Sequence, residues 1–385
     1  MFKTLVIVLS ETRESELTFG SFKKNVIDEL NADLCVCIGV KPDYDYNNPF
    51  YNLAKYKFTY NEPDDYGDAF EYAYNTILSR SKAEKYECLN NINALYGKLQ
   101  NPQQSTENIT YYGSNLIELD GCEDDAVVVH TKDFPDKLWK NKVHGIKNSK
   151  NYDLVSQKNV TTYKKRLHWR EFLKIKNQFL GGIIDCDNQH PGSAGILIFF
   201  RWFLLKNLID NNLINEYDRF IITRSDFIYQ LPHPKLQHMN NNCIWIPDCE
   251  HYGGYTDRHV VLSKNNILPY LNIMNNLVLR SNEYFIKMMK ITMLQWNLEK
   301  LILFHLRENN VLHLVKEFPY VMYSVRSING TTRWQKGVFS PELGYHIKYQ
   351  GEYKKSSYYK NLFQESHKSI DEFYKKFTCQ KKGCL

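Results

Sequence analysis

The sequence predicts an α/β fold in which helices flank a mostly parallel, Rossmann-type sheet. An apolar run from Thr4 to Leu9 is followed by an amphipathic stretch, Phe19 to Leu30, and a second apolar run, Leu34 to Val40. This strand, helix, strand order opens a doubly wound sheet. The short apolar run Phe220 to Ile222 is typical of a strand buried on both faces. A strongly apolar helix from Ser193 through about Leu208 has to be buried against such a sheet.

Weaker patterns predict the remaining elements in order. Tyr56 to Tyr60 is a third strand, and the polar region from about Leu78 to Lys165 is an insertion or a helical flap. Cys243 to Pro247 and Val260 to Ser263 are two further strands. We predict a mostly helical C-terminal third beyond them.

Composition describes an ordinary globular chain of one large or two modest domains. Its 385 residues are 43% hydrophobic and 24% charged, which is enough for a sizeable core. The net charge of +6 comes from 49 basic and 43 acidic residues without long blocks, which is too mild to indicate nucleic-acid binding. The 14% of aromatic residues would suit stacking on sugars, and would follow equally from an AT-rich genome.

Cysteine usage and hydropathy predict a soluble protein in a reducing compartment, which we expect to be the cytoplasm. The nine cysteines include no CxxC pair, so neither a disulfide framework nor a zinc site is predicted. Leu5 to Leu9 is too short for a signal peptide. The apolar segment Ala194 to Leu205 contains Arg201 and is shorter than a membrane span needs.

Polar residues follow the predicted strands where ligands of open α/β sheets bind, at the carboxyl ends. Arg13 follows the first strand and is a candidate for binding a diphosphate, or a solvated loop residue. Asp64 and Asp65 follow the third strand and are candidates for a ribose or a uracil base, although a Pro-Asp-Asp turn needs no ligand. Gly192 and Ser193 offer free N–H groups at a helix start, for an anion or for plain capping.

An acidic residue ends the buried strand that begins near Phe220. We predict that Asp226 binds a divalent cation, with a simple turn cap as the alternative. Asp185-Cys186-Asp187 matches the D-x-D string with which many sugar-nucleotide enzymes hold a cation against two phosphates. Its preceding apolar run is short, so we rank it behind Asp226.

The densest group of titratable side chains extends from Asp248 to His259 around Gly253-Gly254. Two glycines let the backbone turn sharply or touch a ligand, and a surface turn needs no such collection. Glu299 lies on a predicted amphipathic helix near Leu298, and we expect it to face a pocket or a helix terminus, or to form a surface salt bridge.

Four segments resemble GT-A-type glycosyltransferases of large DNA viruses and, more remotely, bacterial and plant surface-glycan transferases. They are the first strand with its Arg-bearing loop, YDRFIITRSDF from Tyr217, GGYTDRHVV from Gly253 and NLEKLILFHL from Asn297. The resemblance spans most of residues 1–320 and is specific at Arg224 to Asp226 and at Gly253 to His259.

The resemblance implies transfer of a sugar from a nucleotide-sugar donor to a glycan or glycoprotein acceptor. Mn²⁺ or Mg²⁺ would be held by Asp226, with His259 completing the metal shell or serving as a structural residue. Arg13 or Arg224 would add positive charge on the leaving diphosphate. Arg224 stands where the first carboxylate of a D-x-D string would stand, which departs from the usual pattern.

An acceptor hydroxyl has to lose a proton if the reaction inverts the sugar, and Asp257, ahead of Glu250, is the predicted base.

The resemblance implies one domain over residues 1–385. Its parts are a nucleotide-binding half (1–77), an insertion (78–165), a metal and acceptor half (166–320) and a C-terminal extension (321–385). Four further residues would line an acceptor groove, or pack as ordinary arginine–aromatic pairs: Arg326, Arg333, Trp334 and Tyr345.

Two rival functions remain open at this point. One is a carbohydrate or nucleotide-sugar binding protein that has lost the chemistry, which the arginine at position 224 favours. The other is a phosphoryl-transfer or nuclease-like enzyme, against which the sequence has no GxxxxGK[ST] loop.

Overall fold

The structure is a computed structural model, and its elements are described over ten ranges. These are residues 2–64, 66–81, 127–130, 154–157, 160–163, 194–291, 296–330, 332, 335–366 and 368–378.

The strands are numbered in chain order. They are β1 (Thr4–Ser10), β2 (Asp33–Val40), β3 (Tyr56–Asn61), β4 (Val127–His130), β5 (Leu154–Gln157), β6 (Val160–Tyr163), β7 (Arg219–Thr223), β8 (Phe227–Tyr229), β9 (Ile244–Pro247), β10 (Val260–Ser263), β11 (Val315–Phe318), β12 (Met322–Arg326), β13 (Val338–Ser340) and β14 (Tyr345–Ile347).

The helices are numbered in the same way. They are α1 (Ser15–Phe22), α2 (Pro49–Leu53), α3 (residues 66–81), α4 (Ala194–Asp210), α5 (Leu213–Glu216), α6 (Lys264–Leu271), α7 (Ile273–Leu279), α8 (Ser281–Lys290), α9 (Leu298–Glu308), α10 (Gln350–Ser366) and α11 (Ile370–Thr378). A π-helical segment, Lys23–Asp28, continues α1.

A seven-stranded sheet forms the centre, in the order β11-β9-β10-β7-β1-β2-β3. Six of its strands run in one direction, and β10 is antiparallel to both neighbours. Every residue of β1 and β7 is buried, as expected for strands covered on both faces. The α/β fold with a mostly parallel, helix-flanked sheet is therefore confirmed.

The chain reverses its direction of winding between β1 and β7. From β1 it adds β2 and β3 on one side, and then returns to add β7 on the other. In an open α/β sheet such a switch point leaves a crevice at the carboxyl ends of the two central strands, and ligands bind there. The loops that begin after Ser10 and after Thr223 border this crevice.

A smaller antiparallel sheet, β13-β14-β12-β8, joins the central sheet at this edge. Because β8 begins only four residues after β7 ends, the link that contains Asp226 is held between the two sheets. The amide of Val325 on β12 donates to the Asp226 carbonyl at 2.9 Å. The small sheet thereby brings the end of β12 to the crevice.

Two apolar layers cover the faces of the central sheet. Helices α3, α4 and α6 to α9 contribute to the core on one face, and α1 and α11 contribute to the core on the other. Helix α4, Ala194–Asp210, is buried along almost all its length, as its apolar sequence predicts.

Two predictions about regions can be compared with the structure. The mostly helical C-terminal third is confirmed over the described residues, in which α6 to α9 follow β10 directly and α10 and α11 come last, with the short strands β11 to β14 between the two groups. Residues 78–165 were predicted as an insertion or a helical flap, and their described part includes the antiparallel sheet β4-β6-β5, so the region is not a purely helical flap. No helix within the described ranges is long and apolar enough to cross a membrane.

Candidate functional site

Three arginines surround one buried carboxylate at the switch point. Asp226 is 1% exposed. Arg224 binds it with two parallel hydrogen bonds of 2.9 Å, from Nε to Oδ1 and from Nη2 to Oδ2. Nη1 of Arg326 lies 2.5 Å from Oδ2, and Nε of Arg13 lies 3.8 Å from it. We call Arg13, Arg224 and Arg326 the arginine cluster.

The cluster keeps Asp226 ionised. Burial alone would raise the pKa of Asp226, but the attraction of the surrounding cations outweighs it and holds the pKa well below its usual range. Bidentate guanidinium pairing of this kind is among the stronger polar interactions in proteins, and it fixes both partners in one plane. Asp226 therefore orients the arginines that surround it.

Arg326 contributes donors that the described residues do not use. Its side chain is fully buried, and Nη1 donates to Asp226 and to the Val325 carbonyl. Nε and Nη2 have no hydrogen-bond partner within the described ranges. Because an unsatisfied buried donor costs about 1–3 kcal/mol, these two groups suit a bound anion.

Lys348 adds a fourth basic group beside the arginine cluster. It follows β14 and is 7% exposed. Burial lowers the pKa of Lys348 to about 6, and the positive charge of Arg224 acts in the same direction. An anion bound beside this amine would favour its protonation.

The cluster keeps an excess of positive charge. Within the described ranges, the carboxylates at ion-pair distance from its arginines are Asp226 and Glu11, which lies 2.8 Å from Arg13. Three guanidinium groups therefore face two carboxylates, and a protonated Lys348 adds another charge. The site is suited to a ligand with negative charge.

The cluster borders a cavity of about 640 Å³ at the carboxyl ends of β1, β2 and β3. Arg13 lines it after β1, Lys41 and Tyr44 after β2, and Glu62 after β3. The Tyr44 hydroxyl lies 2.7 Å from Thr12 Oγ1. Volumes of about 300–1,000 Å³ are typical of small-ligand sites. Asp64, predicted here, is exposed and does not belong to this lining.

A second cavity, of about 570 Å³, is lined by Lys348, by Glu250 and by the rings of Tyr252 and Tyr349. Arg13 of the cluster lines the first cavity, and Lys348, beside the cluster, lines the second.

One arginine holds the two predicted catalytic carboxylates together. Arg258 is buried, and its Nη1 donates to Glu250 at 3.3 Å while its Nε lies 3.8 Å from Asp257. Nη1 also pairs with the buried Glu352, and the guanidinium lies 4.0 Å from the centre of the Tyr349 ring. In the sequence, Arg258 is only one member of the titratable group from Asp248 to His259.

The loop that carries these carboxylates is strained and closely packed. Glu250 and Tyr252 have left-handed backbones, at φ of 61° and 44°, which cost non-glycine residues about 1–3 kcal/mol each. Gly254 lies against the first turn of α9, and a Cβ there would be 2.0 Å from the Glu299 carbonyl oxygen. The Gly-Gly turn therefore serves backbone packing against α9.

Glu299 is a functional candidate that sequence analysis ranked low. Burial raises its pKa to about 7, and the negative charge of Asp257 acts in the same direction. The backbone of Tyr255 donates to the Glu299 carbonyl at 3.0 Å, which fixes the helix start against the loop. A carboxyl with a pKa near 7 can accept a proton at neutral pH. The amphipathic pattern of α9 could not reveal this burial.

The described residues do not fit the predicted Mn²⁺ or Mg²⁺ site. Both oxygens of Asp226 already accept from guanidinium groups. No group of three or more His, Cys, Asp or Glu side chains suited to a metal occurs within the described ranges. A cation at Asp226 would have to displace Arg224 or Arg326 from a buried ion pair, which is costly.

His259 is a structural residue in this arrangement. His233 Nδ1 lies 2.8 Å from the Pro234 carbonyl and must donate to it, so His233 Nε2 accepts from His259 Nε2 at 3.3 Å. His259 Nδ1 then accepts from Thr223 Oγ1 at 3.0 Å. Both ring nitrogens of His259 are therefore engaged in hydrogen bonds, and burial lowers the pKa of His259. The ligand role predicted for His259 is not supported.

Several predicted residues lie outside the described ranges. They are the nucleotide-binding candidates Asp65, Gly192 and Ser193, the D-x-D pair Asp185 and Asp187, and the acceptor candidates Arg333 and Trp334. Tyr345 lies on β14, where its hydroxyl is 2.8 Å from that of Tyr323.

Comparison with protein-family models, curated proteins and solved structures gives no match to the chain.

A glycine substitution tests the packing of the Gly-Gly turn. Gly254→Ala forces backbone atoms of the turn and of α9 apart, so we expect the free energy of unfolding to fall by more than about 2 kcal/mol in chemical denaturation. Gly20→Ala is the matched control, since a Cβ at Gly20 on α1 meets nothing within 4 Å. It should leave stability unchanged or raise it by up to about 1 kcal/mol. Equal changes in the free energy of unfolding for the two substitutions would contradict the close contact between Gly254 and the start of α9.

Lys348 predicts pH-dependent anion binding. Above pH 6 its amine has to take up a proton when an anion binds, so affinity should fall as pH rises. Between pH 6 and 8, the Kd for inorganic pyrophosphate should rise more steeply for the wild type than for Lys348→Arg, by up to about tenfold per pH unit. Calorimetric titration measures this, and the comparison cancels the titration of pyrophosphate itself. Parallel pH profiles would rule out a neutral Lys348.

Proposed function

We propose that the protein is a nucleotide-sugar-dependent glycosyltransferase with a GT-A-like fold. The observation that carries the proposal is the arginine cluster at the switch point between β1 and β7. This is the position at which α/β sheets of this kind bind nucleotide phosphates. Fixed positive charge at that position favours a donor whose leaving group is a diphosphate.

The two cavities, one lined by Arg13 and the other by Lys348, suit the two substrates of such a reaction. The nucleoside would occupy the cavity at the ends of β1 to β3, beside Tyr44. The acceptor would occupy the second cavity, where Tyr252 and Tyr349 offer ring surfaces beside Glu250. The diphosphate and the sugar would then lie beside the cluster and Lys348.

The charges suit the bond changes of glycosyl transfer. The bond between the anomeric carbon and the diphosphate oxygen breaks, and its electron pair leaves with the diphosphate, whose charge the cluster stabilises. The acceptor oxygen forms the new bond to the anomeric carbon, and its proton passes to a carboxylate. We place Glu299 in that role ahead of Asp257, because its raised pKa lies near neutral pH.

A donor-binding experiment tests the proposal. We expect one nucleotide sugar of a panel to raise the melting temperature of the wild type, and we expect Arg326→Lys to weaken its binding at least about tenfold. The substitution keeps a positive charge but removes the two unused donors of Arg326. Arg280→Lys is the matched control, because Arg280 lies in a partly exposed ion pair with Glu283 on α8. No response to any nucleotide sugar would refute the donor site.

The pH profile of transfer distinguishes the two carboxylates. If Glu299 accepts the proton, Glu299→Gln lowers kcat at least about 100-fold. Asp257→Asn then removes a neighbouring negative charge, lowers the pKa of Glu299 and moves the acidic limb of the profile to lower pH. Loss of transfer in Asp257→Asn, with near-normal turnover in Glu299→Gln, would assign the base to Asp257 instead.

A second candidate function is binding of a nucleotide sugar without transfer. The observation in its favour is that Asp226, the predicted metal ligand, has both oxygens engaged by arginines. Donor binding with neither hydrolysis nor transfer to any acceptor in a glycan array would favour this reading.

A further inference from the structure

We propose that the arginine cluster and Lys348 hold the donor diphosphate in place of a divalent cation, so that donor binding needs no metal. This inference rests on the proposed function and concerns the same site. In this arrangement Asp226 orients the arginines, and Arg326 and Lys348 contact the phosphates directly.

The geometry of Asp226 is the first argument. A divalent cation at Asp226 would have to share carboxylate oxygens that guanidinium groups already contact. Here Arg224 occupies both oxygens at 2.9 Å, and Arg326 approaches Oδ2 at 2.5 Å. Removing either arginine from the 1%-exposed carboxylate would leave a buried charge without its partner. The site is already complete as an ion-pair network.

Unused donors are the second argument. Arg326 is fully buried and keeps Nε and Nη2 without a partner in the described ranges. Unpaired buried N–H groups are unfavourable, so a ligand that accepts from both nitrogens would stabilise this guanidinium. Phosphate oxygens are suitable acceptors, because a guanidinium offers parallel donors that match two oxygens of one phosphate.

Charge is the third argument. The cluster exceeds its neighbouring carboxylates by one positive charge, and by two when Lys348 is protonated. A divalent cation beside a diphosphate also supplies two positive charges. The chain therefore carries on its own side chains the charge that a metal would bring to the leaving group.

Calorimetric titration of the full chain with uridine, guanosine and adenosine 5′-diphosphates tests the inference. Each is titrated once in EDTA and once with Mn²⁺. We expect one of them to bind in EDTA with a Kd within about threefold of its value in Mn²⁺. Arg326→Lys should weaken that binding at least about tenfold in both buffers, and Arg280→Lys should not change it.

The outcomes separate the inference from the proposed function. Binding that requires Mn²⁺ and is weakened more than about 30-fold by EDTA would overturn the inference and leave a donor site in place. If the double substitution Asp185→Asn, Asp187→Asn then abolished it, the metal would belong to the D-x-D string. If no nucleoside diphosphate bound in either buffer, the proposed donor site and the inference would fail together.

Discussion

The buried ion pairs of Asp226 are the interaction on which the rest of the site depends. A lone carboxylate at 1% exposure would be strongly unfavourable, so Asp226 requires Arg224 and Arg326 within contact distance. Arg224 comes from the same link as Asp226, whereas Arg326 ends β12 in the small sheet. The pairing therefore fixes the small sheet against the carboxyl end of β7. Glu14, in the loop after β1, accepts a hydrogen bond from the Ser327 amide at 2.8 Å. This bond links the loop after β1 to the end of β12.

A second charged network is coupled to the first through β12. Glu352 on α10 is fully buried and accepts from the Ser324 amide at 2.6 Å and from the Tyr320 hydroxyl at 2.8 Å, besides pairing with Arg258. Ser324 and Arg326 are two residues apart on one strand and so lie on the same face. The strand thus positions the Arg258 network, which holds Glu250 and Asp257, relative to the arginine cluster. The C-terminal helix α10 is part of the site for this reason.

Local sequence patterns predicted the central strands and the residues at their carboxyl ends. Apolar runs located β1, β2 and β7, and the rule for strand ends placed Arg13 and Asp226 at one crevice. Sequence placed Arg326 in an acceptor groove, whereas the structure places it at Asp226, and Lys348 was not predicted at all. An antiparallel sheet built from residues a hundred positions later brings both to the crevice. The same limit applies to Glu299, since its pKa depends on burial against a loop forty residues earlier. The sequence predicted a metal at Asp226. A carboxylate at a strand end can pair with a metal ion or with an arginine, and the sequence does not reveal which.

The electrostatics of positions 224 and 226 explain why an arginine is compatible with this site. Two aspartates in a D-x-D string together with a divalent cation have no net charge. Arg224 and Asp226 have no net charge either, and they reach that balance without an ion. The replacement of one carboxylate by a guanidinium changes the local charge by two units, which is the charge of the cation itself. Under the proposed function, an arginine in place of the first D-x-D carboxylate would remove a metal ligand and supply the positive charge in the same step. Arg326 from β12 and Lys348 after β14 would then supply the further cations that face the diphosphate.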